Sequence, residues 1–268
     1  MSQHVLITGA SQGAGKATAL RFATGGWDVT LAARNPARLD AVAQQIQAMG
    51  QQALAVPTDV GKAEQVATLV EKSIATFGQI DALINNAGIC LTGPIENTSL
   101  DDWHRILDTN LWGCIHTIQA ILPTMLNQGR GTIINVGSFG GKMPIPQMTA
   151  YCTSKYALTG LTNSLRLELA SKGIHVGIVH PGVIKSDFLE RAMFRGHTDA
   201  DARDRQQQMT QLLDASWASQ PEDIAKAVWK ALAQRQHEVV VGPTAIATEL
   251  HRLFPQFTQW ALSKGANG

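Results

Sequence analysis

The chain has 268 residues, 44% of them apolar, which is enough for one sizeable core, and an α/β sheet of this length is expected to form a single domain over 1–268. Its 22 basic and 21 acidic residues are mixed along the chain and leave a formal charge of +1, so there is no electrostatic footprint for nucleic acid or an anionic membrane. The partner is expected to be a small molecule, and Cys90, Cys114 and Cys152, far apart and without a C-x-x-C pair, argue against a disulfide scaffold or a zinc cluster.

From the amino terminus, Met1 to His4 run directly into Val5-Leu6-Ile7, too short an apolar run for a signal segment, and no later stretch reaches about 18 apolar residues. A cytoplasmic, reduced protein is the expectation. Short aliphatic or β-branched runs then recur at His4 to Thr8, Asp28 to Ala33, Ala53 to Val56, Ala82 to Ile84, Thr132 to Val136, His175 to Val179 and Glu238 to Val241. Between them lie Gly13 to Gly25, Ala37 to Met49, Ala63 to Phe77, Leu100 to Leu126, Tyr151 to Lys172 and Glu222 to Gln234, each long enough for a crossover helix. Strands apolar on both faces belong in a parallel sheet covered by helices. The fold class is therefore α/β, a Rossmann-type doubly wound seven-stranded parallel sheet whose ligand lies at the carboxyl ends of the strands.

Asn97-Thr98-Ser99 matches a glycosylation sequon, but the reading preferred in a cytosolic chain is that Ser99 caps the helix beginning at Leu100, with Asp102 at its third position. The segment 185–220 is polar, rich in Arg and Gln, and broken by Phe188, Leu189, Met193 and Phe194, which suggests a lid inserted after a strand's carboxyl end. In the extension 243–268, Leu250, Leu253, Phe254, Phe257 and Trp260 fall at helical spacing, with Pro255 breaking or restarting the turn. This row is expected to pack on the domain or on a partner subunit rather than on a membrane, since its polar face lacks a Lys/Arg cluster.

The first strand ends in Thr8-Gly9-Ala10-Ser11-Gln12-Gly13-Ala14-Gly15, where a helix begins. Glycines are needed there because a side chain would hold a pyrophosphate away from backbone N–H groups and the positive end of the helix dipole. The spacing Gly-x-x-x-Gly-x-Gly resembles that of the short-chain dehydrogenase/reductase family, and further matches run from Thr8 to Ser186. The resemblance implies cofactor contacts at Gly9, Ser11, Gln12, Gly13, Ala14 and Gly15, then at Asp59-Val60, Asn86-Ala87-Gly88, Pro181, Gly182, Ile184 and Ser186. This chain departs from the family's usual isoleucine at Ala14, and from a second basic residue of its NADP-using members at Gln12.

An NAD-preferring site would end its second strand with an acidic residue on the ribose hydroxyls. Here that place is Ala33, followed by Arg34, and Asp28 lies at the opposite end of the strand, about 16 Å away at ~3.3 Å per residue. Arg34 can offer a forked guanidinium to a 2′-phosphate, so NADP(H) is the expected cofactor, with NAD(H) second.

Tyr151 and Lys155 are four residues apart and share one helix face, whereas Tyr156 lies about 140° around and is expected to enter packing. An adjacent ammonium is placed to stabilise the phenolate of Tyr151, which would make that phenol the acid/base. Ser138 ends the fifth strand and could hold the substrate oxygen. By the family resemblance Ser138 orients the carbonyl, Lys155 also holds the nicotinamide ribose, and Asn110 positions a water touching Lys155. The catalytic set expected is Asn110, Ser138, Tyr151 and Lys155.

The eight histidines form no metal motif, and His175 and His180 read as bracketing a strand, as structural or exposed residues. The activity expected is reduction of a carbonyl by NADPH. The rivals are an alcohol dehydrogenase running oxidatively on the same machinery and a non-catalytic dinucleotide sensor. Met143, Ile145, Leu91, Phe188 and Phe194 suggest an apolar substrate pocket. The resemblance implies a homodimer or homotetramer.

Overall fold

The computed structural model describes residues 2–185 and 190–265. Seven parallel strands, β1 (His4–Thr8), β2 (Asp28–Ala33), β3 (Ala53–Pro57), β4 (Ala82–Asn85), β6 (Gly131–Val136), β7 (Ile174–Pro181) and β9 (Glu238–Val241), form one sheet in the order β3-β2-β1-β4-β6-β7-β9. The sequence-derived strands differ from these only at their ends. A parallel two-residue pair, β5 (Leu91–Thr92) with β8 (Met193–Phe194), was not foreseen, because two residues carry no periodic signal.

Alternation along the strands feeds two helix layers, as a doubly covered sheet requires. In β1, Val5 and Ile7 join a core with Phe22 and Ala19 of α1 (Gly13–Thr24), Leu39 and Ile46 of α2 (Pro36–Ala48) and Val228 of α8 (Pro221–Ala233). Leu6, between them, joins Leu69 of α3 (Ala63–Phe77) and Ile118, Ile121 and Met125 of α5 (Gly113–Gln128) on the opposite face, with Leu169 of α6 (Thr149–Leu169). The strand order reverses between β1 and β4, so the turns after both open at the same carboxyl-terminal edge.

The stretch expected as one helix from Leu100 to Leu126 is α4 (Leu100–Leu107), a π turn at Asp108–Trp112, and α5. Such wide turns cluster at functional sites because they rotate one residue out of the helical register. Here the turned residue is Asn110, which is fully buried. Ser99 caps α4 in a reciprocal capping box with Asp102, as expected.

Segment 190–220 carries β8 and α7 (Asp199–Leu213). The Asp102 carboxylate ties this segment to α4 through two hydrogen bonds from Arg195, 2.9 Å from Nε and 2.5 Å from Nη2. Ser186, Phe188 and Leu189, which figured in the cofactor and lid expectations, lie outside the described residues.

The tail forms α9 (Thr244–Leu253) and α10 (Pro255–Gly265), restarted at Pro255 as expected. Its buried residues are Thr248, His251 and Thr258, however, while Leu250, Leu253, Phe254, Phe257 and Trp260 are 41–58% exposed. The expected apolar row thus faces away from the described chain, because the Thr248–His251–Thr258 face does the packing and His251 hydrogen-bonds Thr258. Two expectations are corrected. Tyr156 is exposed rather than packed, and His175 and His180 lie inside the longer β7 and are buried.

Candidate active site

The turns after β1 and β4 are welded together. Thr8 Oγ1 accepts the N–H groups of Asn86 and Ala87, each at 3.0 Å. The Asn86 side-chain amide returns two bonds, to the carbonyls of Thr8 (3.0 Å) and Gly9 (3.2 Å). Gly9 and Gly13 are left-handed, at φ +65° and +53°, a conformation that glycine adopts without strain. At Gly15 a Cβ would lie 2.1 Å from the Gly9 carbonyl oxygen and 2.5 Å from Asn86 Nδ2, so the helix can approach the strand only without a side chain.

Among the described residues no side chain caps α1, and its first turn carries no acidic residue. A helix start leaves N–H groups without intrahelical partners and a positive dipole end, and here they face the turn. This is the donor set that a pyrophosphate needs.

Two cavities meet at this edge, sharing Gln12, Gly88, Ile89 and Arg191. One is lined by Gly9, Ser11, Arg34, Asp59, Val60 and Ala87, all foreseen, together with Arg38, which was not. Arg38 bonds Gln12 and pairs with Glu190 at 2.9 Å. Its position four residues after Arg34, at the opening of α2, was the available signal. No acidic side chain stands at the end of β2, where Ala33 is followed by exposed Arg34. The residues present thus fit a dinucleotide, with a cationic edge at the β2 end.

The other cavity is lined by Gly13, Ala14, Gly15, Asn86, Gly88, Ser138, Tyr151, Lys155, Pro181, Gly182 and Ile184. Beyond Tyr151 it becomes apolar. Ile145 and Phe194 line it as expected, but Leu91 and Met143 do not. Leu91 packs instead with Ile106 and Ala150, and Met143 is buried outside the lining. Cys90, Met148 and, from α7, Met209, Leu212 and Leu213 are there instead. The i, i+3, i+4 spacing of the last three was the signal available in an otherwise polar helix.

Ser138, Tyr151 and Lys155 converge on this second cavity. The Ser138 hydroxyl lies close enough to Tyr151 to favour its phenolate, and Ser138 Oγ accepts the Gly140 N–H at 3.1 Å. Lys155 Nζ donates to the Val136 carbonyl at 3.1 Å and lies 5.9 Å from the centroid of the Tyr151 ring. Asn110 Oδ1 accepts the Ile89 N–H (2.9 Å), and its Nδ2 donates to Ile89 O and Ser154 Oγ, both at 3.0 Å. Its amide N–H groups are thereby occupied, and Oδ1, beside Gly88, keeps one lone pair on the side where Gly88 also meets Lys155.

Burial dominates the electrostatics of the chain by itself. Burial pushes the Tyr151 phenol well above its ordinary value, the neighbouring Cys90 adds to this, and the Ser138 hydroxyl opposes it. Burial likewise lowers Lys155. In the chain by itself, desolvation of two buried groups outweighs the help either charge could give the other, so the phenol is not acidified. Burial also raises all three thiols, Cys90 to about 12 and Cys114 to about 11.

Comparison with known proteins agrees with this arrangement. The family model for short chain dehydrogenases matches residues 3–193. The chain is 34% identical over 245 residues to the 3-oxoacyl-(acyl-carrier-protein) reductase FabG of Staphylococcus epidermidis, covering 91% of this chain and 96% of that protein. A crystal structure of a short chain dehydrogenase/reductase from Burkholderia phymatum in complex with NAD superposes with a TM-score of 0.87 at 24% identity, covering 96% of this chain and 95% of the other. A metagenomic short-chain oxidoreductase in complex with NADP gives a TM-score of 0.73 at 30% identity, covering 90% and 97%. With most of its sheet and both welded turns inside the matched span, this chain belongs to the short-chain dehydrogenase/reductase family of oxidoreductases.

Proposed function

We propose that this protein is an NADP(H)-dependent ketoreductase with Tyr151 as proton donor, Ser138 as carbonyl-orienting group, and Lys155 and Asn110 completing the catalytic set. The observation that carries the reading is the convergence of Ser138, Tyr151 and Lys155 on one cavity lined by glycines and by apolar side chains. Two hydroxyls lining one cavity can both turn to a carbonyl oxygen placed between them. A nicotinamide held in the glycine-lined lobe supplies the hydride. The phenol, kept protonated at neutral pH by burial, gives its proton to the oxygen as negative charge develops there. A buried, protonated donor suits the reductive direction. Lys155, anchored on Val136, stands where it can replace that proton, and the lone pair of Asn110 Oδ1 near Gly88 suits a water leading toward it.

Gly9, Ser11, Gln12, Gly13, Ala14 and Gly15 would take the pyrophosphate, Asp59 and Val60 the adenine, and Asn86, Ala87, Gly88, Pro181, Gly182 and Ile184 the nicotinamide side. Arg34 supplies a guanidinium to a 2′-phosphate beside a β2 end that carries no carboxylate, while Arg38 is held by Glu190, and this favours NADP(H) over NAD(H). The apolar lobe favours a ketone flanked by apolar groups, consistent with a relative named as a 3-oxoacyl reductase. We further read 1–268 as one domain with a lid in 185–220, acting in the cytoplasm as a homodimer or homotetramer. No described helix is long and apolar enough to cross a membrane.

The test is NADPH oxidation at 340 nm with a panel of ketones. Tyr151→Phe is expected to lower kcat by about 10²- to 10⁴-fold, the usual share of a positioned acid, with NADPH binding retained. Wild-type rates in Tyr151→Phe would overturn the reading, and binding without turnover across the panel would favour a sensor.

A further inference from the structure

Behind Ser138 lies a partly buried ionic cluster that hydride transfer does not use. His180, near the end of β7, is fully buried, and its Nδ1 lies 2.9 Å from the Ser138 carbonyl oxygen. That oxygen also accepts the Gly141 N–H at 2.9 Å. A carbonyl only accepts, so Nδ1 is a protonated nitrogen. The other ring nitrogen, Nε2, lies 3.1 Å from Oε1 of Glu238 at the start of β9, a contact too bent for a well-formed hydrogen bond. A bare nitrogen facing a carboxylate at that separation would be two acceptors in contact. A proton on Nε2 makes the contact an ion pair instead.

Glu238 Oε1 also receives Lys142 Nζ at 2.5 Å, and Lys142 closes the short turn that Ser138 opens. One carboxylate therefore holds both ends of the turn, one directly and the other through the imidazole. His180, and to a lesser degree Lys142, keep the Glu238 carboxyl at about 2, against the opposing effect of burial. The ring is seated tightly: at Gly137 a Cβ would lie 2.8 Å from His180 Nδ1.

We propose that His180, protonated on both nitrogens and braced by Glu238, is a positioning residue that fixes the Ser138 hydroxyl against Tyr151. The edge strand β9 thereby reaches the proton donor through two side chains. The proposal rests on the roles given above to Ser138 and Tyr151.

The experiment is a double-mutant cycle with Glu238→Ala, a half-exposed position, and Ser138→Ala. Glu238→Ala is expected to lower kcat about tenfold, part of the ~10²-fold that a 1 Å misplacement can cost, while NADPH affinity stays unchanged. In the Ser138→Ala background it should change kcat less than twofold, because the hydroxyl it positions is gone. Glu238→Gln should recover most of the loss, since its amide can donate to a neutral ring and still accept from Lys142. Equal fold-losses in both backgrounds, or a wild-type kcat in Glu238→Ala, would overturn the proposal. Should Glu238→Ala fail to fold, ¹⁵N-histidine NMR of the wild-type protein decides, with the signal assigned by its loss in His180→Gln. Two ring N–H groups support the proposal, and one bare nitrogen sinks it. Turnover retained in Tyr151→Phe would instead overturn the catalytic reading, independently of this cycle.

Discussion

Gly15→Ala adds one methyl at the point where α1 crosses β1, and the geometry sets the size of the consequence. The new Cβ would lie 2.1 Å from the Gly9 carbonyl oxygen and 2.5 Å from Asn86 Nδ2. A carbon–oxygen contact relaxes only beyond about 3 Å, so strand turn and helix start must part by roughly 1 Å. Neither neighbour is a flexible side-chain end. Gly9 is backbone, and Asn86 is committed to the Thr8 and Gly9 carbonyls. Overpacking of this kind costs about 1–3 kcal/mol, equivalent to a melting temperature lower by roughly 2–12 °C at about 2–4 °C per kcal/mol for a chain of this size. The same displacement moves the N–H groups of the first turn away from a bound pyrophosphate. Scanning calorimetry and NADPH titration by fluorescence should therefore show loss of stability and at least a tenfold weaker Kd together. An unchanged melting temperature and Kd would refute the claim that Gly15 is required by close approach.

Three further predictions bear on separate features. Arg34→Asp should shift the kcat/KM ratio from NADP⁺ toward NAD⁺ by about 10- to 100-fold, the worth of a charged hydrogen bond of ~1.5–3 kcal/mol; an unchanged ratio would show that the cofactor's phosphate is held elsewhere. The three cysteines should react with iodoacetamide at pH 8 at least about 100-fold more slowly in the native protein than in urea, because burial starves them of thiolate; one fast thiol would contradict the packing around it. Glu238 is held at about 2 in the folded chain, below the ordinary ~4.3. Its stabilising effect is thus present above ~4.3 and lost as pH falls toward 2. The urea midpoints of wild type and Glu238→Gln should differ at pH 6 and converge near pH 2–3, and a gap that stays constant with pH would overturn the assignment.

What the sequence discloses is what local chemistry determines. The glycine spacing after β1, the seven aliphatic runs and the Tyr151–Lys155 helix spacing are all contained in short windows, and the strands they imply appear within one or two residues. The interruption at Asp108–Trp112 was invisible because nothing in those five residues breaks a helix. The π turn accompanies the bonding of Asn110 to the Ile89 backbone, a contact between distant segments. Cys90 and the face of α7 were missed for the same reason: a residue lines a cavity only once another element has been folded against it. Spacing reveals the ammonium adjacent to Tyr151 but not the desolvation that raises the phenol and lowers the ammonium. The outward-facing aromatic row of α9 and α10 shows the limit of periodicity, which identifies an apolar face without saying whether this chain covers it.

The weld between Thr8 and Asn86 ties together the two turns that carry the dinucleotide's half of the site, while the apolar half is built largely from α7, Phe194 and neighbouring loops. The two halves can therefore diverge at different rates. Replacing Met209, Leu212 or Leu213 alters the shape offered to a ketone without disturbing a single bond of the glycine turn. A library confined to Met209, Leu212 and Leu213 would thus explore new substrates on an unchanged redox chassis.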